Sequence, residues 1–264
     1  MDLQLTGKHA LVTGSTAGIG FAAAARLAAE GVHVTLNGRS KDAVERAVAR
    51  LLEQVPGAKV NGAAADLSNA KGAALLSTRA AEVDILVNNL GIYEPCPFEE
   101  ISDEDWFRLF EINVMSGVRL SRHALPAMKG RGFGRVVFVS SESALNPPAE
   151  MVHYGMTKAA QLSVSRALAE ASKGSGVTVN SVLPGPTRTE GSRAFTEQLA
   201  RDQGIDEAQV ERNYFANDRP ASLLQRFIHP AEVGATIAWL CSPLAAATNG
   251  SAIRVDGGIV RSIA

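Results

Sequence analysis

Short apolar runs recur along the chain at residues 9–13, 33–37, 59–64, 84–88, 135–141, 178–183 and 252–255. Each is flanked by polar or glycine-containing segments and reads as a strand buried on both faces. Longer stretches with apolar positions at helical spacing lie between them, at 19–30, 41–54, 70–81, 103–128, 152–173 and 230–241. Strand and helix alternate. This predicts one α/β domain over residues 1–264, a parallel seven-stranded sheet covered by helices on both faces. Residues 190–227 break the rhythm. They mix charges with the apolar positions Phe195, Leu199, Ile205, Val210, Tyr214 and Phe215. An insertion of that length is usually functional or disordered.

The first strand runs into Thr13-Gly14-Ser15-Thr16-Ala17-Gly18-Ile19-Gly20, and an Ala-rich helical stretch follows. Strand, glycine turn and helix together let backbone N–H groups approach a pyrophosphate at a helix N-terminus. The spacing is G-x-x-x-G-x-G rather than G-x-G-x-x-G, and a plain glycine turn is the other reading. With a second strand behind it, the turn points to a Rossmann-type, doubly wound sheet that binds a dinucleotide.

Tyr154 and Lys158 lie four residues apart at the start of a helical run, so they share a face. A phenol titrates near ~10 and is a poor acid–base at neutral pH. A nearby ammonium stabilises the phenolate and brings the group closer to useful proton transfer. Ser141 ends the fifth apolar run. Beyond the carboxyl end of such a strand, its hydroxyl can donate to a substrate carbonyl. Ser140 should point the other way. Asn113 falls inside a helical pattern, where an amide competes with the backbone for hydrogen bonds. Singly, each has a commonplace reading: a surface pair, a turn or cap, a tolerated polar residue.

Together these segments resemble the short-chain dehydrogenase/reductase family over nearly the whole chain. The family's T-G-x-x-x-G-x-G falls on Thr13 to Gly20 and its N-N-A-G on Asn88-Asn89-Leu90-Gly91. Its catalytic Asn, Ser, Tyr and Lys fall on Asn113, Ser141, Tyr154 and Lys158. Its proline-glycine segment is Pro184-Gly185-Pro186-Thr187-Arg188-Thr189, and its D-G-G is Asp256-Gly257-Gly258. The chain is most similar to the broad 3-oxoacyl carrier-protein reductase-like branch. Leu90 stands where the family usually has Ala.

The resemblance implies hydride exchange, dependent on NAD(P)(H), between a ketone and a secondary alcohol. Tyr154 would be the general acid/base, and Ser141 would hydrogen-bond the substrate oxygen. Lys158 would bind the nicotinamide ribose and lower the phenol pKa. Asn113 would hold a water linking Lys158 to solvent. The cofactor would rest on Gly14, Ser15, Thr16, Ala17, Gly18, Ile19 and Gly20. Asp66 and Leu67 would meet the adenine, with Asn89 and Gly91 beside the cofactor. Pro184, Gly185, Thr187 and Thr189 would meet the nicotinamide and phosphates. Residues 190–227 would cover a small carbonyl or alcohol substrate. The long helices would pair in a homodimer or homotetramer.

The end of the second strand decides between dinucleotides. An NAD enzyme usually carries Asp or Glu there, accepting from the ribose hydroxyls. Here the place is Gly38, followed by Arg39 and Ser40. A guanidinium forms charge-assisted bonds with a 2′-phosphate and stacks on adenine, so NADP is favoured. Ala17 argues mildly the other way, because many NADP-using relatives carry a base there, and NAD stays possible. An NAD-linked alcohol or polyol dehydrogenase is an alternative, and so is a non-catalytic dinucleotide sensor. The complete set of catalytic residue types speaks against the sensor.

Composition changes little. A net charge of −1 gives no general attraction to nucleic acid or an anionic membrane. No apolar run is long enough to span a bilayer. The start carries neither a basic leader nor an apolar core, so a cytoplasmic setting is expected. Cys96 and Cys241 form no C-x-x-C, and the five His are scattered, so no metal is expected.

Overall fold

A computed structural model describes residues 1–263; Ala264 and the side chain of Phe195 lie outside the described residues. Seven strands, β1 (His9–Val12), β2 (His33–Gly38), β3 (Val60–Ala64), β4 (Ile85–Asn88), β5 (Gly134–Val139), β6 (Val177–Pro184) and β7 (Ala252–Val255), form one parallel sheet. Its order is β3-β2-β1-β4-β5-β6-β7. Every residue of β4, β5 and β6 is buried. That is why these segments read as continuous apolar runs rather than alternating ones.

The period of two still decides which core each side chain joins. In β1, Ala10 and Val12 face one layer with Val87, Val137 and Val139, under helices α1 (Gly18–Ala29) and α9 (Pro230–Cys241). Leu11 faces the other layer with Leu86, Val136 and Phe138. That layer is closed by α3 (Ala70–Glu82) and α5 (Ser116–Arg131). Gly234 lets α1 and α9 approach, since a Cβ there would lie 2.9 Å from the Ala22 backbone. α2 (Lys41–Gln54) and α6 (Val152–Glu170) complete the covering helices. The strand order reverses between β1 and β4. Their carboxyl ends therefore splay around a crevice, the place where open parallel sheets bind ligands.

Three local expectations change. The helix expected at 103–128 is α4 (Asp103–Phe110), a π-helical turn (Glu111–Met115) and α5. The wide turn is centred on Asn113, whose side chain bonds a neighbouring loop. The strand expected to reach residue 141 ends at Val139, and Ser141 caps the 3₁₀ turn Glu142–Ala144. Residues 190–227 are largely helical: α7 (Glu190–Gln203), α8 (Glu207–Asn213) and a π turn (Tyr214–Asp218). Thr189 and Ser192 form a capping box that starts α7. Tyr214, Phe215 and Phe227 form an aromatic cluster with ring centroids 5.1–5.2 Å apart, which ties the end of the segment together. Among the described residues no helix is long and apolar enough to cross a membrane.

Candidate active site

The glycine turn hangs from two asparagine side chains, one at the end of each of the strands that flank β1. Asn37, at the end of β2, accepts from the Gly14 N–H at 3.2 Å and donates to Ala63 and Ala65 carbonyls, both at 3.1 Å. Its own N–H donates to Ser15 Oγ at 3.0 Å. Asn89, beyond β4, donates its amide to the Thr13 and Gly14 carbonyls at 2.9 and 3.0 Å. Gly20 makes this reach possible, because a Cβ there would lie 2.4 Å from the Asn89 amide nitrogen. Asn89 thus braces the cofactor turn from behind with both amide hydrogens in use. Asn37 was not singled out from the sequence, although a polar residue ending an apolar strand was the available signal. Gly14 and Gly18 both sit at φ +57°, the left-handed region that glycine adopts without strain.

The first turn of α1 has neither a side-chain cap nor an acid of its own. The Gly18 N–H instead donates to Glu190 Oε2 at 2.8 Å, and Arg50 pairs with the other carboxylate oxygen at 3.4 Å. A carboxylate therefore occupies a place suited to an anionic phosphate oxygen, which is the chemistry expected of this helix end. The residues fit a dinucleotide in this respect. Glu190 would have to give way to it. We expect Glu190→Gln to tighten NADPH binding by roughly two- to fivefold, the scale of one charge at a helix end. Fluorescence titration reads this, and an unchanged or weaker affinity rejects the competition.

Where the adenosine is expected, Arg39 is exposed, and among the described residues its guanidinium has no hydrogen-bond or ion-pair partner. Ser40 caps α2, accepting from Ala43 N–H at 3.4 Å. Gly38 is tightly packed: a Cβ would lie 2.5 Å from the Thr16 methyl, so that side chain would have to move. Asp66 accepts from Ser68 N–H at 3.1 Å, while Asn69, not Asp66, caps α3. Leu67 is buried. Where the nicotinamide is expected, Thr187 Oγ1 donates to the Gly185 carbonyl at 2.8 Å, and Thr189 accepts from Ser192 N–H at 3.3 Å. Pro184 closes β6, and Gly185 lies so close to Asp256 that a Cβ would meet its carbonyl oxygen at 2.6 Å.

The catalytic candidates converge. Ser141 lies beyond β5 and accepts from Ser143 N–H at 3.1 Å, which aims its hydroxyl. The Ser141 side chain acts on the Tyr154 phenol of α6, favouring its ionised form. Ser140 points the other way, donating to the Lys158 carbonyl at 2.9 Å. Lys158 is buried, with its Nζ 5.5 Å from the Tyr154 ring centroid. The Nζ donates to the Val139 carbonyl at 2.9 Å and to Gln161 Oε1 at 3.4 Å. Gly91 leaves room above it, for a Cβ there would sit 3.2 Å from Nζ. Asn113 is buried and fully engaged. Its Oδ1 accepts from Ile92 N–H at 2.8 Å, and its Nδ2 donates to the Ile92 carbonyl and Thr157 Oγ1 at 2.9 and 3.0 Å.

Burial governs the electrostatics. Desolvation pushes the Tyr154 phenol up to about 12, with the Ser141 hydrogen bond opposing it. Desolvation alone pushes Lys158 down to about 7. In this state desolvation rather than Lys158 sets the phenol, and Tyr154 stays protonated at neutral pH. Glu142, adjacent to Ser141, is also buried and was missed in the sequence. Burial pushes its carboxyl up, with Arg219 opposing, and its charge acts on the Tyr154 phenol. Its hydrogen-bond partner is Ser143 Oγ at 3.3 Å. Among the described residues, no three His, Cys, Asp or Glu gather as metal ligands.

Comparison with known proteins agrees with this chemistry. The family profile described as short chain dehydrogenase matches residues 8–200. The chain is 47% identical over 263 residues to the Uncharacterized oxidoreductase YvaG of Bacillus subtilis (strain 168), covering 100% of both. It is 34% identical over 261 residues to the D-beta-hydroxybutyrate dehydrogenase of Cupriavidus necator, covering 97% of this chain and 99% of that one. The crystal structure of L-sorbose reductase from Gluconobacter frateurii, complexed with NADPH and L-sorbose, matches with a TM-score of 0.93 and 32% identity over 100% of both chains. The chain belongs to the short-chain dehydrogenase/reductase family and is an NAD(P)-dependent oxidoreductase.

Proposed function

We propose that the protein is an NADPH-dependent reductase of small polar ketones, with Tyr154 as proton donor. The observation that carries this reading is the convergence of a protonated, recessed phenol with the Ser141 hydroxyl and the buried Lys158. The bound cofactor supplies the hydride. Ser141 hydrogen-bonds the substrate oxygen and stabilises the charge that develops there. Tyr154 gives that oxygen its proton and takes one back in the reverse direction. Residues 190–227 would cover the reacting atoms and exclude water.

Two features favour the 2′-phosphorylated cofactor. Arg39 is a cation without a partner among the described residues, and Gly38 supplies no carboxylate to bind an unphosphorylated ribose. Glu142 favours a hydroxylated substrate over a 3-oxoacyl thioester. A buried carboxyl with one weak hydrogen bond beside Ser141 retains acceptor capacity, which a substrate hydroxyl can fill and an acyl chain cannot. L-sorbose, bound by the Gluconobacter enzyme, is a ligand of that kind.

The test is turnover of hydroxyacetone, 2-butanone and a 3-oxoacyl thioester with NADPH and with NADH. The first ketone should exceed the second by roughly tenfold, as one hydrogen bond to a charged group allows. No turnover by protein that binds dinucleotide would favour a sensor. Arg39→Gln should lower the NADPH/NADH ratio of kcat/KM by about ten- to a hundredfold. A wild type that prefers NADH, or a ratio that stays put, defeats the cofactor assignment. Because a Cβ at Gly38 would displace the Thr16 methyl, the single Arg39 substitution is a cleaner test than a paired change at both positions.

A further inference from the structure

Gln161 is a buried polar residue one turn beyond Lys158 on α6, and the chemistry above gives it no role. Its Nε2 donates to the Asn113 main-chain carbonyl at 2.5 Å, and its Oε1 accepts from Lys158 Nζ at 3.4 Å. The amide orientation follows from its partners. Reversal would set a carbonyl against a carbonyl and an NH₂ against an ammonium. The Asn113 carbonyl lies within the π-helical turn, where the altered helical register brings a side chain in as its partner. The family resemblance implies a water at Asn113 that links Lys158 to solvent. The Gln161 side chain joins Lys158 to the Asn113 carbonyl.

We propose that Gln161 is a positioning residue that fastens the Lys158 ammonium to the π-helical turn. The link holds the charge beside Tyr154 while leaving one N–H for the cofactor. This inference rests on the proposed roles of Lys158 and Tyr154. An ammonium has three donors. The Val139 carbonyl takes one and Gln161 a second, so the third remains to face the space that Gly91 leaves open. A lysine held at two points loses less freedom when the third contact forms, which is preorganisation. The groups facing Nζ are few. β5 offers the Val139 carbonyl and the loop after β4 offers Gly91, while the π turn meets it through Gln161. On α6 itself they are Tyr154 and Gln161. Among the described residues no carboxylate acts on Lys158. The amide oxygen is thus the one side-chain acceptor bonded to its Nζ among them.

The experiment compares Gln161→Leu and Gln161→Glu with the wild type. NADPH affinity and kcat/KM for hydroxyacetone are followed from pH 5 to 9, with Tm as a control. Gln161→Leu removes an acceptor of the ammonium. Its pH midpoint should move acidic, and NADPH should bind several-fold more weakly at neutral pH. Gln161→Glu keeps the shape and places a carboxylate at the ammonium, so its midpoint should move alkaline by about one unit. A merely structural role lowers Tm in both variants without moving either midpoint. Opposite shifts support the inference. Superimposed profiles, or shifts in one common direction, overturn it. If the leucine variant does not fold, the Gln161→Glu shift decides alone. Normal pH dependence in these variants, with the wild type active, overturns the tether and leaves the reductase reading standing. A wild type inactive on every ketone removes that reading and the inference with it.

Discussion

Tyr154→Phe should lower kcat by about 10²–10⁴-fold, the usual contribution of one general acid–base group. NADPH affinity should stay within about twofold. The substitution removes one oxygen and keeps the ring, which packs edge-on to Tyr93 at 6.1 Å between centroids. Ser141 is not orphaned by the change, because it still accepts from Ser143 N–H. Stability should therefore move little. The measurement is single-turnover NADPH oxidation and NADPH titration on the same preparation. A variant that turns over near the wild-type rate would falsify the assignment of Tyr154. Equal losses of binding and rate would mean instead that the ring, not the hydroxyl, was needed.

Lys158→Ala should reduce both quantities. The side chain is proposed to supply a cofactor contact and a charge beside the phenol, so we expect kcat/KM to fall by at least a hundredfold and NADPH affinity by about tenfold. It also leaves the Val139 carbonyl and the Gln161 amide oxygen without their donor. A buried acceptor left unpaired costs about 1–3 kcal/mol, so Tm should fall too. The pH dependence separates function from stability. Burial holds the free-enzyme Lys158 near 7, below its ordinary value. If binding favours the ammonium, affinity is full below about 7 and is lost as pH rises through it. In the wild type, NADPH binding should weaken by up to about tenfold per pH unit above that point until the bound-state pKa is reached. In the variant this component should vanish. An identical pH profile in both proteins would place Lys158 away from the cofactor.

Much of the site was legible because its parts are local. A left-handed turn after a strand calls for glycine, and Gly14 and Gly18 are visible in the text of the chain. Tyr154 and Lys158 share a helix face by arithmetic alone. Arg39 could be weighed against a carboxylate because one position at a strand end decides which ribose fits. The alternation of strand and helix led directly to the parallel sheet, since strands buried on both faces leave an unmistakable apolar run.

Other features depended on residues far apart in sequence. The π turn at Asn113 was invisible, because a helical pattern does not record where one residue is inserted. The cause lies in Ile92 and Thr157, which bind the Asn113 amide. The pairing of Glu190 with the Gly18 N–H joins residues 172 positions apart. Nothing in either segment announces it. Gln161 and Glu142 look like ordinary polar residues until burial removes the water that would otherwise satisfy them. Periodicity determined which elements form, which faces they bury and where the glycine turn must bend. Only the tertiary structure decided the state of the charged groups. The pKa values of Tyr154 and Lys158 are set by desolvation, and desolvation is a property of everything packed around a group rather than of its neighbours in the chain.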